Sequence, residues 1–383
     1  MRHSRFRSRP QVPVTLVSLV AAICASSGLL SPAVVAGQAV PAESIDAHHA
    51  PAVSASRALL DSLLNATGIP GLSVAVAVDG DIVWSEGFGY ADVENQLAVT
   101  PLTRFRIGSV SKTLTADAIG LLVERGQLDL DAPIQRYVPD FPEKRWPITT
   151  RQLGGHMAGV RHYRGGEFLA AEAYETVDAA LEIFAGDSLM FEPGTQYSYS
   201  SYGWNLLSAV IEGASGESFL DFMQREVFDG LGMRHTHPDR VYALVPYRSR
   251  PYGRNAGGEL VNSPFVDNSY KWAGGGFVST MEDLVRFADS HLRGTLLDSG
   301  TVELLWTSQR TTDGEATDYG IGWRTGRDGS GRRVVRHGGG SVGGSTLLVF
   351  YPDDEVAVAM VANLTDAPLA ESVAIRVAER FMR

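Results

Sequence analysis

Strand-like alternation at both ends of this 383-residue chain, with helical spacing between them, restricts the folds open to it more than any other feature. Near the start, Ser73–Val78 places Val at 74, 76 and 78, the period of a strand, and Asp79-Gly80 is a two-residue hairpin turn into Ile82–Phe88. Near the end, Gly320–Thr325, Arg333–His337, Ser345–Tyr351 and Val356–Asn363 read as strands, with turns at Asp328-Gly329 and Asp353-Asp354. From Leu128 to about Phe287 the pattern is helical and loop-rich, with Pro and Gly gathered at 139–147, 154–166, 193–203 and 251–264. A few strands at each end gain most by sharing one sheet, which leaves the centre as a second, mostly helical lobe. A site between the lobes is then expected. Helices are expected from Ser54 to Gly68, from near Ser109 to Gly126, and around Leu369, Val373, Val377 and Phe381 at the end of the chain.

A composition of 44% hydrophobic and 20% charged residues supports a sizeable core in one large or two intertwined domains. The formal net charge of −11, with no basic patch interleaved with aromatics, argues against a nucleic-acid partner. Arg2, Arg5, Arg7 and Arg9 precede an uncharged stretch from Pro10 to about Ala42, and Val34-Val35-Ala36 offers small residues for cleavage. Residues 1–36 therefore read as a signal peptide, 37–52 as a linker and 53–383 as the folded domain, exported to the periplasm or exterior. A mitochondrial transit peptide and an uncleaved membrane anchor are the rival readings of the same segment. The charge-free run Val14–Leu30 favours export, because an amphipathic transit helix would interleave its Arg residues. Cys24 is the only cysteine, lies inside this segment and follows Ile23 rather than a small residue, so neither a disulfide nor a lipid attachment is expected.

The chemistry begins at Ile107-Gly108-Ser109-Val110-Ser111-Lys112-Thr113, followed by the apolar-periodic Leu114–Val123. Ser109 takes a helix-opening position, and the three-residue spacing brings Lys112 onto its face one turn along. A serine hydroxyl needs a base and a place for the developing oxyanion; a buried lysine can become that base, and an arginine cannot. The chain has only three lysines, 112, 144 and 271, among its 33 basic residues, so a deprotonatable cation at this position is informative.

Other residues could join this pair. Tyr197, Tyr199 and Tyr202 compete for a proton-shuttle role in the turn after Phe191-Glu192-Pro193-Gly194. Arg336-His337-Gly338-Gly339-Gly340 ends a strand in glycines that would let a substrate lie along the backbone and an amide reach an oxyanion. Ala273-Gly274-Gly275-Gly276 is similar, or is a tight turn before a Ser279/Thr280 helix cap. Gly339-Gly340-Ser341-Val342-Gly343 matches the Gly-x-Ser-x-Gly elbow, but a strand follows it and no histidine lies downstream of His337, so the required order fails. His235/His237 and His156/His162 lack the spacing of a zinc site and read as core or surface residues; no metal or cofactor is expected.

Ser109-Val-Ser-Lys112, Tyr199-Ser-Ser201 and His337-Gly-Gly339 together resemble, in order and spacing, the three motifs of the serine beta-lactamase-like family. That family includes class C beta-lactamases, D-Ala-D-Ala carboxypeptidases, D-aminopeptidases and related esterases, and the resemblance runs from about Pro51 to Phe381. Gly159–Tyr163 and Val266–Thr280 look most like a mitochondrial, protease-type branch of it. The resemblance implies a beta-lactamase/transpeptidase-like α/β fold of the α+β kind: an antiparallel sheet flanked by helices, with the helical lobe at about 128–287. It implies Ser109 as nucleophile, Lys112 and Tyr199 as proton-transfer groups, and Ser201, His337, Gly338, Gly339 and Gly340 as substrate-binding residues. Ser201 stands where beta-lactamases have Asn, and His337 where they have Lys. Peptide, D-amino-acid amide or ester substrates are accordingly expected ahead of beta-lactams. The alternatives are a true class C-like beta-lactamase and a catalytically silent protein that holds cell-wall peptide or assembles with other subunits. His337 is expected to gain charge near neutral pH and so to make carboxylate binding pH-dependent at roughly pH 6 to 7.

Overall fold

The structure, a computed structural model, describes residues 47–382, so the expected signal peptide and most of the linker lie outside the described residues. A seven-stranded sheet of wholly antiparallel neighbours forms its centre, in the spatial order Leu97–Ala98, Asp81–Asp92, Gly71–Val78, Val356–Ala362, Gly344–Tyr351, Arg333–Ser341 and Arg324–Arg327. The two ends of the chain meet in the middle of the sheet, where Leu72 pairs with Ala362 and Val78 with Val356. Gly71–Val78 and Val356–Ala362 are buried along their whole length.

Side-chain alternation decides what covers each face. Val74, Val76, Val78, Val358 and Met360 point to one side, into a core with Leu60, Leu64, Val373 and Val377 from the helices Ala50–Thr67 and Glu371–Phe381. Ala75, Ala77, Ala357 and Ala359 point to the other, into the larger core that holds Leu284, Val285 and Ala288 of the helix Met281–Arg293. Alanine on that face lets the helix approach the strands closely. The same core continues into the helical lobe through Ser111–Glu124 and Ser201–Ser215, so the two cores are separated by the sheet and not by the boundary between lobes.

Local chemistry explains the differences from the sequence-based expectations. The first helix opens at Ala50, four residues ahead of Ser54, because Pro51 suits a first helical turn. Arg333–His337 extends to Ser341, since the glycine run remains paired with Gly344–Thr346. Gly320–Thr325 shifts to Arg324–Arg327; Gly322 adopts φ +79° and bends the chain before the strand starts. No helix among the described residues is long and apolar enough to cross a membrane.

Candidate active site

Ser109 does not cap a helix. It sits in a 3-10 turn, Gly108–Val110, one turn ahead of the helix Ser111–Glu124, whose N-cap is Val110 with no side-chain cap bond. This corrects the helix-opening position expected from sequence, and it leaves the hydroxyl free of a capping role. Gly108 has φ +50°, and a Cβ there would lie 2.5 Å from the Gly340 carbonyl oxygen and 2.9 Å from the Gly340 nitrogen. A Cβ on Gly339 would lie 2.0 Å from the Ile107 oxygen and 3.1 Å from the Ser109 nitrogen. The glycines are therefore what lets the serine turn press against the strand, backbone on backbone.

Lys112 is fully buried. Its Nζ lies 3.0 Å from Ser109 Oγ, and donates to Ser201 Oγ at 3.2 Å and the Gly274 carbonyl at 2.6 Å. None of these acceptors is a carboxylate. Burial, and then the positive charge of Lys271, hold its pKa well below the usual lysine value. Tyr199 is partly buried, its ring centroid 5.0 Å from Lys112 Nζ, and its hydroxyl interacts with Ser109. Desolvation pushes its pKa up, so its hydroxyl stays protonated at neutral pH.

The tyrosine turn is held by histidines that sequence reasoning set aside. Ser200 caps the helix Ser201–Ser215 by accepting from the Gly203 N–H, and donates its hydroxyl to the Arg161 carbonyl. The N–H groups of Ser200 and Ser201 donate to Nδ1 of His156 and His162 at 3.1 and 3.2 Å. Each ring therefore keeps an accepting Nδ1 and carries its proton on Nε2. The His156 ring packs at a tilt against the Tyr199 ring, centroids 4.1 Å apart, and His156 has φ +61°, a left-handed backbone uncommon outside glycine, so the positioning of Tyr199 is bought with local strain. A metal-site template was the wrong test for these two residues; they lie 44 and 39 residues ahead of the backbone groups they hold, and no local sequence pattern marks that role. Among the described residues no cluster of three or more potential metal ligands occurs.

His337 is 3% exposed. Its Nδ1–H donates to the Gly338 carbonyl at 2.6 Å, so Nε2 is the acceptor of the Tyr319 hydroxyl at 2.8 Å. Desolvation, and then Lys112, pull its pKa down to about 3. The expected charge switch near pH 6 to 7 is therefore corrected: His337 is neutral through that range and both its nitrogens are engaged by the protein. Gly338 and Gly340 are exposed and Gly339 half-buried along the same strand, so the backbone, not the imidazole, faces the cleft. Ser341 is buried in a strand-to-strand hairpin, without the helix an elbow requires.

Three neutral imidazoles have a consequence for stability. His156 lies well below its ordinary pKa, His162 falls to about 4 and His337 to about 3, each first through desolvation. Unfolded histidines bind protons from about pH 6.5 downward. The stability these groups contribute is thus complete above that value and is lost as pH falls toward 4 and 3. Thermal unfolding between pH 7 and 4 is expected to show Tm falling steadily; a flat Tm would mean that the imidazoles are already charged in the native state.

A buried lysine on a serine, a tyrosine at the next turn and a glycine strand alongside define a beta-lactamase/transpeptidase type of site on that fold. The chain belongs to the beta-lactamase family, whose model matches residues 56–380. It is 33% identical to the human serine beta-lactamase-like protein LACTB, mitochondrial, over 86% of this chain and 80% of that protein. It is 29% identical to penicillin-binding protein 4* of Bacillus subtilis (strain 168), over 81% of this chain and 72% of that one. Among solved structures, the D-amino acid amidase from Ochrobactrum anthropi SV3 complexed with L-phenylalanine amide superposes with TM-score 0.75 at 25% identity, covering 86% of this chain and 98% of that one.

Proposed function

We propose that the protein is a serine hydrolase that cleaves peptides, D-amino-acid amides or esters through an acyl-enzyme on Ser109. One observation carries this reading: Lys112 Nζ, buried with no counter-charge, lies 3.0 Å from Ser109 Oγ. An amine kept neutral by its surroundings has a lone pair for the serine proton. Ser109 Oγ attacks the substrate carbonyl as its proton passes to Lys112 Nζ. The amides of Ser109 and Gly340 receive the oxyanion, a role supported by the close approach of the serine turn, at Gly108 and Ser109, to the strand at Gly339 and Gly340. The Tyr199 hydroxyl gives its proton to the leaving group and regains one from Lys112. Water then cleaves the Ser109 ester. Ser201 contributes a hydroxyl that accepts from Lys112 rather than an amide that could bind a beta-lactam, which favours peptide, amide and ester substrates. The acid-free, Arg-led N-terminus supports an exported protein.

The test is intact-mass analysis with a fluorophosphonate serine probe. Wild type is expected to gain one adduct, mapped to Ser109, and Ser109→Ala none. Equal labelling of both proteins would overturn the assignment.

A further inference from the structure

Lys271 has no part in the proposed acyl transfer, yet it is built into the same wall. It ends the 3-10 turn Ser269–Lys271 and immediately precedes Trp272–Gly275, the short helix whose Gly274 carbonyl holds Lys112. A methyl placed on Gly275 would lie 3.6 Å from the Gly108 carbonyl carbon and 3.8 Å from Lys271 Cδ, so the stem of Lys271 and the serine turn flank one glycine.

The side chain is 2% exposed. Its ammonium lies 4.6, 5.1 and 5.9 Å from the ring centroids of Phe168, Tyr270 and Tyr163, a cage of three π faces. Among the described residues it makes no hydrogen bond or ion pair. Asp239 acts on it favourably through space but lies beyond ion-pairing distance; its Oδ2 accepts from Arg106 at 2.7 Å and Asn268 at 2.8 Å, and Arg106 repels Lys271. On the other side stand Lys112 and the neutral His162, both of which feel its charge. Tyr163 links the cage to the site, its hydroxyl interacting with Ser201, which in turn accepts from Lys112.

A buried ammonium with π contacts but no carboxylate within ion-pairing distance is an incomplete ion pair. Burial and Arg106 bring its pKa down to about 7, and an arriving anion would restore the charged form. Tyr163 and Phe168 are only half-buried and lie on either side of the exposed Arg164–Gly166, so the cage has an approach from outside. One ammonium matches one negative charge; a phosphate dianion would leave a second charge buried.

We propose that Lys271, in its cage of Tyr163, Phe168 and Tyr270, anchors a carboxylate carried by the substrate. The proposal rests on the acyl-transfer reading of Ser109 and adds the substrate's charge. It also relocates the cation of the third motif, since His337 is neutral and engaged.

The experiment compares matched esters on the purified full chain. Mono-p-nitrophenyl glutarate against p-nitrophenyl butyrate places a carboxylate on the acyl side, and 3-carboxyphenyl butyrate against 3-carbamoylphenyl butyrate places it on the leaving group. Wild type is expected to prefer the anionic member of one pair, and Lys271→Met to lower that preference about tenfold or more, chiefly through KM. Misfolded protein lowers both members equally and leaves the ratio unchanged, so the ratio reads the anchor. As a check independent of any variant, glutarate is expected to inhibit wild-type turnover of p-nitrophenyl butyrate more strongly than glutaramide. No anionic preference in either pair, or equal inhibition by the two additives, overturns the proposal. Failure of the serine reading looks different: p-nitrophenyl butyrate would be turned over equally by wild type and Ser109→Ala.

Discussion

Lys112→Met is expected to lower kcat/KM for p-nitrophenyl butyrate by about 10²- to 10⁴-fold while moving Tm by only a few degrees. The activity loss follows from geometry: no other amine lies on Ser109 Oγ, and methionine fills the same slot without a lone pair basic enough to take the proton. The stability change is small because two effects oppose. Deleting a fully buried amine with no counter-ion removes a desolvation cost. Leaving the Gly274 carbonyl without its donor costs about 1–3 kcal/mol. The wild-type pH profile supplies the complementary test. Its rise marks the loss of the Lys112 proton, so activity should reach its plateau well below the ordinary lysine pKa and fall on the acid side. Stopped-assay kinetics and thermal melts on the same samples decide the matter: a large Tm drop in step with activity would make Lys112 a structural rather than a chemical residue.

Gly339→Ala should be nearly as damaging, for a different reason. Its Cβ would sit 2.0 Å from the Ile107 oxygen and 3.1 Å from the Ser109 nitrogen, and both obstacles are backbone that cannot rotate away. The strand must therefore withdraw from the serine turn, parting the two amides proposed for the oxyanion. Loss of about 10²-fold or more in kcat is expected, with about 1–3 kcal/mol of destabilisation from the forced shift. Gly329→Ala, where an added Cβ meets nothing within 4 Å, is the control for a glycine substitution close by in sequence. Equal kinetics for the two variants would mean that contact between strand and turn is not needed for turnover.

The architecture was legible where a side chain's periodicity reports a whole face. Valines at 74, 76 and 78 and the apolar run Val356–Ala362 announced strands, and a shared sheet followed from the need of both ends for partners; that these two strands pair directly is seen only in the structure. Ser109, Lys112 and Ser201 stood in ordered motifs, and the structure brings them within hydrogen-bonding distance of one another through Lys112. What sequence could not convey was burial. His337 looks like a titratable cation in one dimension and is a neutral, twice-bonded imidazole in three. His156 and His162 are separated from Ser200 and Ser201 by 44 and 39 residues, so their support of the tyrosine turn depends on loop paths that no local pattern encodes. The same is true of Lys271, whose cage draws on Tyr163 and Phe168 from a distant segment.

The pairing of Gly71–Val78 with Val356–Ala362 also sets an order in time. The first hairpin leaves the ribosome with one edge open, and the strand that will cover that edge is made only after the whole helical lobe. Until then a strand that is buried along its whole length in the fold must wait with that edge uncovered, so productive folding depends on contacts of very long sequence separation. Cutting the chain before Val356 would therefore remove the middle of the sheet.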